Sequence, residues 1–302
     1  MQIRAQIAQN KGQTMQTISI IGYGKMAKAI AVALNGKFAL EIIGRNAEKM
    51  ERFICENALQ NAKIVLCAES SADCAIDIAN KSVILAIKPY ALDSFAYTGK
   101  ARAIYSIMAG ISIERLQKCV KAEVFVRVMP NIASLVGQGV SVIFVETNNA
   151  SLRDSATPNR GNLSKSTESS ADSTNQSDII TECESIFAPL GKCVFVDKES
   201  YINPSSAISG SGTAYLGLIA EAMIDAGVRE GLSIEVSKEL VRGLFSGFSA
   251  LFNVAEANTI RTDTTSPAGT TAEALAILEN RGVRSAFMDA IHAANTKANN
   301  IT

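Results

Sequence analysis

Apolar, β-branched runs alternate with helix-compatible stretches over the first half of the chain. The run at 17–21 precedes a 3.6-period stretch at 25–35, and 40–43 precedes one near 46–59. Residues 64–67 lead through a short helical span to 83–87, and 103–107 and 124–128 add two more strand candidates. A helical stretch at 179–187 and a last strand at 193–196 close this part. Strands apolar on both faces and alternating with helices predict a parallel sheet covered on two sides. From about Ser205 onward the strand signal stops. The stretches 214–226, 234–257, 272–280 and 283–297 have helical spacing, with Gly227, Gly231 and Gly282 as stop signals. On the second of them Leu240, Val241, Leu244, Phe245, Phe248, Leu251, Phe252 and Val254 cover more than one narrow stripe. A helical domain of about a hundred residues has little core of its own to cover such a helix. The pattern therefore predicts a homodimer with interlocked helices.

Two segments interrupt the pattern. Residues 1–16 have no clear period and read as an unstructured leader; Met15, just before the first strand, is a second candidate start. In 148–178, Ser, Thr and Asn fill 16 of the 31 positions and no aromatic occurs, so burial cannot offset chain entropy and a disordered surface insertion is expected. The resulting division is 1–16 leader, 17–196 dinucleotide-binding domain with the insertion, and 197–302 helical domain.

Charge and composition narrow the chemistry. Lys plus Arg and Asp plus Glu both number 29, which leaves no basic field for nucleic acid or acidic membranes. The uncharged stretches 128–145 and 201–220 reach membrane length, but Pro, Gly and Ser at turn-like spacing argue against spanning helices. His292 is the single histidine, so no multi-His metal site can be built, and its place in a patterned helix makes it a solvated or partner-facing residue. The six cysteines show no C-x-x-C pairing and mostly lie in apolar runs, as buried reduced thiols of a cytoplasmic protein would. The polar N-terminus is no signal peptide.

Ile20-Ile21-Gly22-Tyr23-Gly24-Lys25-Met26-Ala27 sits at the first strand-to-helix junction and matches the Gly-x-Gly-x-x-Ala form of the dinucleotide fingerprint. Gly22 permits a tight turn, Gly24 lets backbone approach a diphosphate, and Ala27 keeps helix and strand close. The second strand ends Ile42-Ile43-Gly44-Arg45-Asn46, with no acid for a ribose hydroxyl, whereas Arg45 and Asn46 suit a 2′-phosphate. NADPH is therefore expected ahead of NADH. Ala86-Ile87-Lys88-Pro89 ends the fourth strand, at the edge of the sheet where ligands bind. Further on, Ser209-Gly210-Ser211-Gly212-Thr213 and Ser266-Pro267-Ala268-Gly269-Thr270-Thr271 each place hydroxyls and glycines just before a helix. Two such runs behind a dinucleotide domain point to a carboxylate pocket.

These motifs resemble the pyrroline-5-carboxylate reductase family. The resemblance covers about 17–147 and 179–298 and rests on Ile21 to Met26, Lys88-Pro89, Ala109-Gly110, Arg127-Val128-Met129-Pro130-Asn131, Ser209 to Tyr215 and Thr265 to Thr271. The chain departs from the family's pattern at Lys25-Met26-Ala27 (for Asn-Met-Gly), Tyr90 (for Gln), Thr213 (for Pro) and Ala268-Gly269 (for Gly-Gly), changes that keep the backbone donors. The resemblance implies an α/β fold, with an N-terminal Rossmann-like dinucleotide-binding domain and a C-terminal all-α dimerisation domain. It implies hydride transfer from NADPH to 1-pyrroline-5-carboxylate, giving L-proline. Carried over residue by residue, it places Ile21, Gly22, Tyr23, Gly24, Lys25, Met26, Ala86, Ile87, Lys88 and Pro89 at the cofactor. It places Ser209, Ser211, Thr270 and Thr271 at the substrate, with Thr271 as partner of the ring nitrogen, and Glu199 there through an alignment with a one-residue gap. A β-hydroxyacid dehydrogenase would need a catalytic lysine on an interior helix, and 214–225 has none. A cofactor-sensing regulator remains open on sequence, since fold does not fix function.

Overall fold

Ile18, Ile20 and Ile21 give β1 (Thr17–Ile21) apolar side chains on both faces, and all three are buried in the middle of an eight-stranded sheet. The structure is a computed structural model that describes residues 15–66, 75–146 and 176–300. The sheet runs β10-β9-β8-β7-β5-β1-β2-β3. Its strands are β1, β2 (Ala39–Gly44), β3 (Ala62–Leu66), β5 (Ser82–Leu85), β7 (Ala101–Ser106), β8 (Ala122–Pro130), β9 (Gly139–Val145) and β10 (Gly191–Phe195); β4 (Ile76–Asp77) and β6 (Tyr97–Thr98) form a separate pair. From β3 to β8 every neighbouring pair is parallel, in the order of a Rossmann sheet. Helices α1 (Lys25–Leu34), α2 (Ala47–Glu56), α3 (Ile113–Cys119) and α4 (Gln176–Phe187) accompany it. Two apolar clusters carry the core: Ile20, Ile30, Ile42 and Phe187 belong to one, and Val83, Leu85, Ile104 and Leu116 to the other.

Three expectations need correction here. The sheet is not wholly parallel, because β8 pairs antiparallel with β9, from Val126 opposite Val145 to Pro130 opposite Ser141. The run 128–145 is therefore a strand end, a 3₁₀ turn at Ile132–Val136 and a returning strand. Gly137, at φ +69, caps that turn and lets the chain reverse. Helix α4 begins at Gln176, so the last three residues of the expected insertion are ordered helix; 147–175 lie outside the described residues, as do 1–14. Finally, of the four cysteines described as free, Cys183 is buried, Cys119 and Cys193 are partly covered and Cys55 is exposed; Cys67 and Cys74 lie outside the described residues.

The chain divides into two units, 1–206 with 298–302, and 207–297. The second has only helices as elements: α5 (Gly212–Arg229), α6 (Ile234–Phe252), α7 (Ala257–Asp263), α8 (Thr270–Asn280) and all but the last two residues of α9 (Val283–Asn299). Ser233 caps α6 by accepting from the Val236 N–H at 3.2 Å. The long helix expected over 234–257 breaks after Phe252, and α5 continues through Gly227, where the sequence signalled a stop. In this unit of the single chain only Ala207, Ser237 and Val241 are buried, whereas Leu218, Leu240, Leu244, Phe248 and Phe252 are exposed. The helical run Glu199–Arg229 is long and apolar enough, by length and composition alone, to cross a membrane, and 6% of its most apolar window is buried.

Candidate active site

Parallel order reverses between β1 and β5, and the crevice beyond their carboxyl ends is where an α/β sheet binds ligands. Gly22 sits at its floor. Its N–H donates to the Ile43 carbonyl at 2.9 Å, and next to it the Ala86 N–H donates to the Ile21 carbonyl, also at 2.9 Å. Gly22 has φ +112, and a Cβ there would stand 2.6 Å from the Ala86 carbonyl oxygen. Gly24 then caps α1 without any side-chain bond, no acid occurs in the first turn, and a Cβ on Gly24 would meet nothing within 4 Å. A helix start with free N–H groups, open approach and no acid is a fit for a diphosphate. The structure thus brings Ile21, Gly22, Gly24, Ala86 and Ile87 to one edge, with Lys88 exposed at the start of the Pro89–Ala91 turn.

At the tip of β2 the Tyr23 ring lies over Gly44, where a Cβ would be 2.6 Å from Tyr23 Cε1. Asn46 Oδ1 accepts from the Lys49 N–H at 2.8 Å and caps α2, so that oxygen serves the helix. Arg45 is exposed and has no ion partner among the described residues.

Glu199 has a definite setting in the first unit. Its Oε1 accepts from the Ile113 N–H at 2.8 Å, at the start of α3, and from Arg127 Nη1 at 3.1 Å. Arg127 is buried in β8, and its Nη2 reaches Asn203 Oδ1 at 3.4 Å. Burial draws the Arg127 pKa down, and the Glu199 carboxylate opposes that shift. In the sequence Arg127 stands out only as the first residue of the Arg127–Asn131 motif. The available signal was a lone cation inside an apolar strand, which is rarely buried unless paired.

In the second unit the serine-glycine motif is not the loop-to-helix start expected from sequence. Ser206–Gly210 forms a π-helical turn within the continuous helical run that leads into α5, and Ser211 is a helical N-cap without a side-chain bond. Single π turns of this kind are frequent at functional sites. The other motif does precede a helix, α8, with Gly269 as N-cap. Ala268 has φ +54, a region that favours glycine, and a Cβ on Gly269 would lie 2.3 Å from Ser266 Oγ, so this turn is tight. Thr270 is exposed and Thr271 half-buried at the first turn of α8.

Known proteins resemble this chain over both parts. A family profile described as pyrroline-5-carboxylate reductase dimerisation matches residues 199–301, and one described as NADP oxidoreductase, coenzyme F420-dependent, matches 17–110. The chain is 36% identical over 282 residues to a pyrroline-5-carboxylate reductase of Helicobacter pylori, covering 92% of this chain and 97% of the relative. It is 29% identical to one from Synechocystis, covering 92% and 95%. The Coxiella burnetii pyrroline-5-carboxylate reductase structure superposes with a TM-score of 0.70 at 25% identity, covering 94% of this chain and 98% of the other. A Plasmodium falciparum pyrroline carboxylate reductase with NADP bound gives 0.66 at 26%, covering 95% and 98%. With a sheet in Rossmann order, a fingerprint turn at its switch point and this similarity along nearly the whole chain, the protein belongs to the pyrroline-5-carboxylate reductase family of oxidoreductases.

Proposed function

We propose that this chain reduces the carbon–nitrogen double bond of 1-pyrroline-5-carboxylate with NADPH, forming L-proline, and that the residues named from sequence carry out the binding. The single observation behind the reading is the 36% identity to a reductase of that substrate over 92% of the chain. NADPH, when bound, supplies the hydride that adds to the imine carbon. The chain's own task is positioning, since a protonated imine needs neither a histidine acid nor a metal to accept hydride. The α1 start at Gly24 holds the diphosphate, Ile21 to Met26 and Ala86 to Pro89 line the cofactor, and Arg45 and Asn46 face its adenosine end. Ser209 and Ser211 donate to the substrate carboxylate, Thr270 contacts the ring, and Thr271 is the catalytic residue, bonded to the ring nitrogen. Glu199, whose Oε1 serves Ile113 and Arg127, offers its second oxygen as a further substrate contact.

The purified protein should oxidise NADPH in a manner dependent on pyrroline-5-carboxylate, and absence of that turnover would overturn the reading. In the same assay Thr271→Ala should lower kcat/KM at least about tenfold, roughly 1.4 kcal/mol of transition-state stabilisation. Unchanged kinetics would remove Thr271 from the site.

Functional boundaries at 17–196 and 197–302 follow from the same reading, with a cytoplasmic location and no nucleic-acid or membrane partner. The exposed apolar faces of α5 and α6 are covered by a second copy in a homodimer or higher homo-oligomer, which also accounts for the apolar run Glu199–Arg229 without a bilayer. Size-exclusion chromatography with light scattering should give at least twice the chain mass at micromolar concentration; a monomer would refute the assembly.

A further inference from the structure

Between the first turn of α1 and the facing side of α2 runs a groove of about 250 Å³, lined by Gly24, Lys25 and Lys28 on one side and by Lys49, Arg52 and Glu56 on the other. Four cations and one carboxylate line it, so its charge is far from balanced. Arg52 is paired with Glu48 at 3.0 Å, whereas Lys25, Lys28 and Lys49 have no acid partner among the described residues. Their placement is also unfavourable in the absence of an anion. Lys25 and Lys28 occupy the first turn of α1 and Lys49 that of α2, the positive ends of both helix dipoles. The groove begins at Gly24, where the fingerprint places a diphosphate, and follows the helix that starts at the tip of β2, where the adenosine ribose of a bound dinucleotide belongs. Arg45 and Asn46, the residues expected from sequence to read that end, do not line it, and Asn46 Oδ1 is committed to capping α2.

We propose that Lys28 and Lys49 hold the adenosine 2′-phosphate of NADPH, so that the groove between α1 and α2 discriminates NADPH from NADH. This inference rests on the cofactor reading above. A lysine ammonium is a mobile point charge well suited to a phosphate, and two of them approaching from different helices discriminate by charge rather than by a fixed hydrogen-bond pattern.

The test uses binding alone. Affinities of 2′,5′-ADP and 5′-ADP are measured by calorimetry on the wild-type chain and on the Lys28→Gln/Lys49→Gln variant, with circular dichroism confirming the fold. The wild type should prefer 2′,5′-ADP by about tenfold or more, and the variant should lose that preference while keeping its affinity for 5′-ADP. If the wild type binds both equally, the NADPH reading fails and this inference with it. If the wild type discriminates and the variant does so equally well, the inference alone fails. Equal losses for both ligands, or a loss of preference found in Arg45→Gln but not in the lysine variant, would likewise overturn it.

Discussion

Gly22→Ala should lose both cofactor affinity and stability, and Gly24→Ala should lose the first without the second. At Gly22 the backbone has φ +112, and the added methyl would lie 2.6 Å from the Ala86 carbonyl oxygen and 2.9 Å from its carbon. Neither partner can give way easily. Gly22 is tied to β2 through Ile43, and Ala86 to β1 through Ile21, so separating them pulls on both ladders that flank β1. Backbone strain and overpacking together should cost about 2–5 kcal/mol, lowering the melting temperature by roughly 10 °C. Because the same turn aims the α1 start at the diphosphate, the KM for NADPH should rise at least about tenfold. At Gly24 φ is −76, and a Cβ meets no protein atom within 4 Å. Its methyl should leave the melting temperature within about 2 °C yet intrude on the diphosphate, raising KM comparably. Thermal melts of the two variants beside NADPH titrations separate the two roles. An unchanged melt for Gly22→Ala would mean that the close approach of β1 and β5 is not a constraint.

Features set by local chemistry were legible in the chain, whereas features made by pairing distant residues were not. The alternation of strands and helices from Thr17 to Leu66 could be read because β1, β2 and β3 carry apolar residues on both faces and the fingerprint marks one junction. The helical span expected before Val83 instead has the short strand β4 in its described part, 67–74 lying outside the described residues. Strand β9 escaped because Pro130, Gly137 and Gly139 punctuate its approach like a loop, and its antiparallel partnership with β8 exists only as register. The end of α6 at Phe252 was nearly hidden: no Gly or Pro stands between Phe252 and Ala257, and the one local signal is the C-cap Asn253, weaker than a glycine. At the site, Gly22 and Gly24 announce themselves through what glycine alone permits. The π turn at Ser206–Gly210 does not, since widening one helical turn changes hydrogen-bond spacing rather than residue type. Lys28 and Lys49 are ordinary surface lysines in sequence, and only the packing of α1 beside α2 puts them on one groove.

The largest loss of stability without loss of function is expected at Glu182. Helix α4 carries this carboxylate against the sheet edge opposite the crevice, where β5 begins with Ser82 and β7 with Ala101 and Arg102. Glu182 Oε1 accepts from Ser82 Oγ at 2.7 Å and from Gln16 Nε2 at 3.1 Å, and Oε2 is bonded to the Arg102 guanidinium. Around it Ile179, Cys183, Ile186 and Phe187 are buried, and burial also pushes the Cys183 thiol pKa upward, which keeps that thiol protonated and unreactive. Glu182→Ala would leave Arg102, whose side chain is 28% exposed, without its counter-ion and with only Ser82 Oγ to accept from it, and the buried Ser82 hydroxyl without its acceptor. Breaking a fully buried pair from one side costs about 3–5 kcal/mol, and partial access of water to Arg102 puts this one near the lower figure, about 3 kcal/mol. Glu182→Gln keeps an acceptor for Ser82 but not the charge, so it should lose less. The double variant Arg102→Met/Glu182→Leu removes both charges and should be more stable than Glu182→Ala, because no unpaired ion remains. Urea unfolding of the three variants ranks them. A loss below about 0.5 kcal/mol for Glu182→Ala would show that water already screens the pair. Because the network lies at the strand ends remote from Gly22 and Gly24, the KM for NADPH should stay unchanged in all three at temperatures where they remain folded.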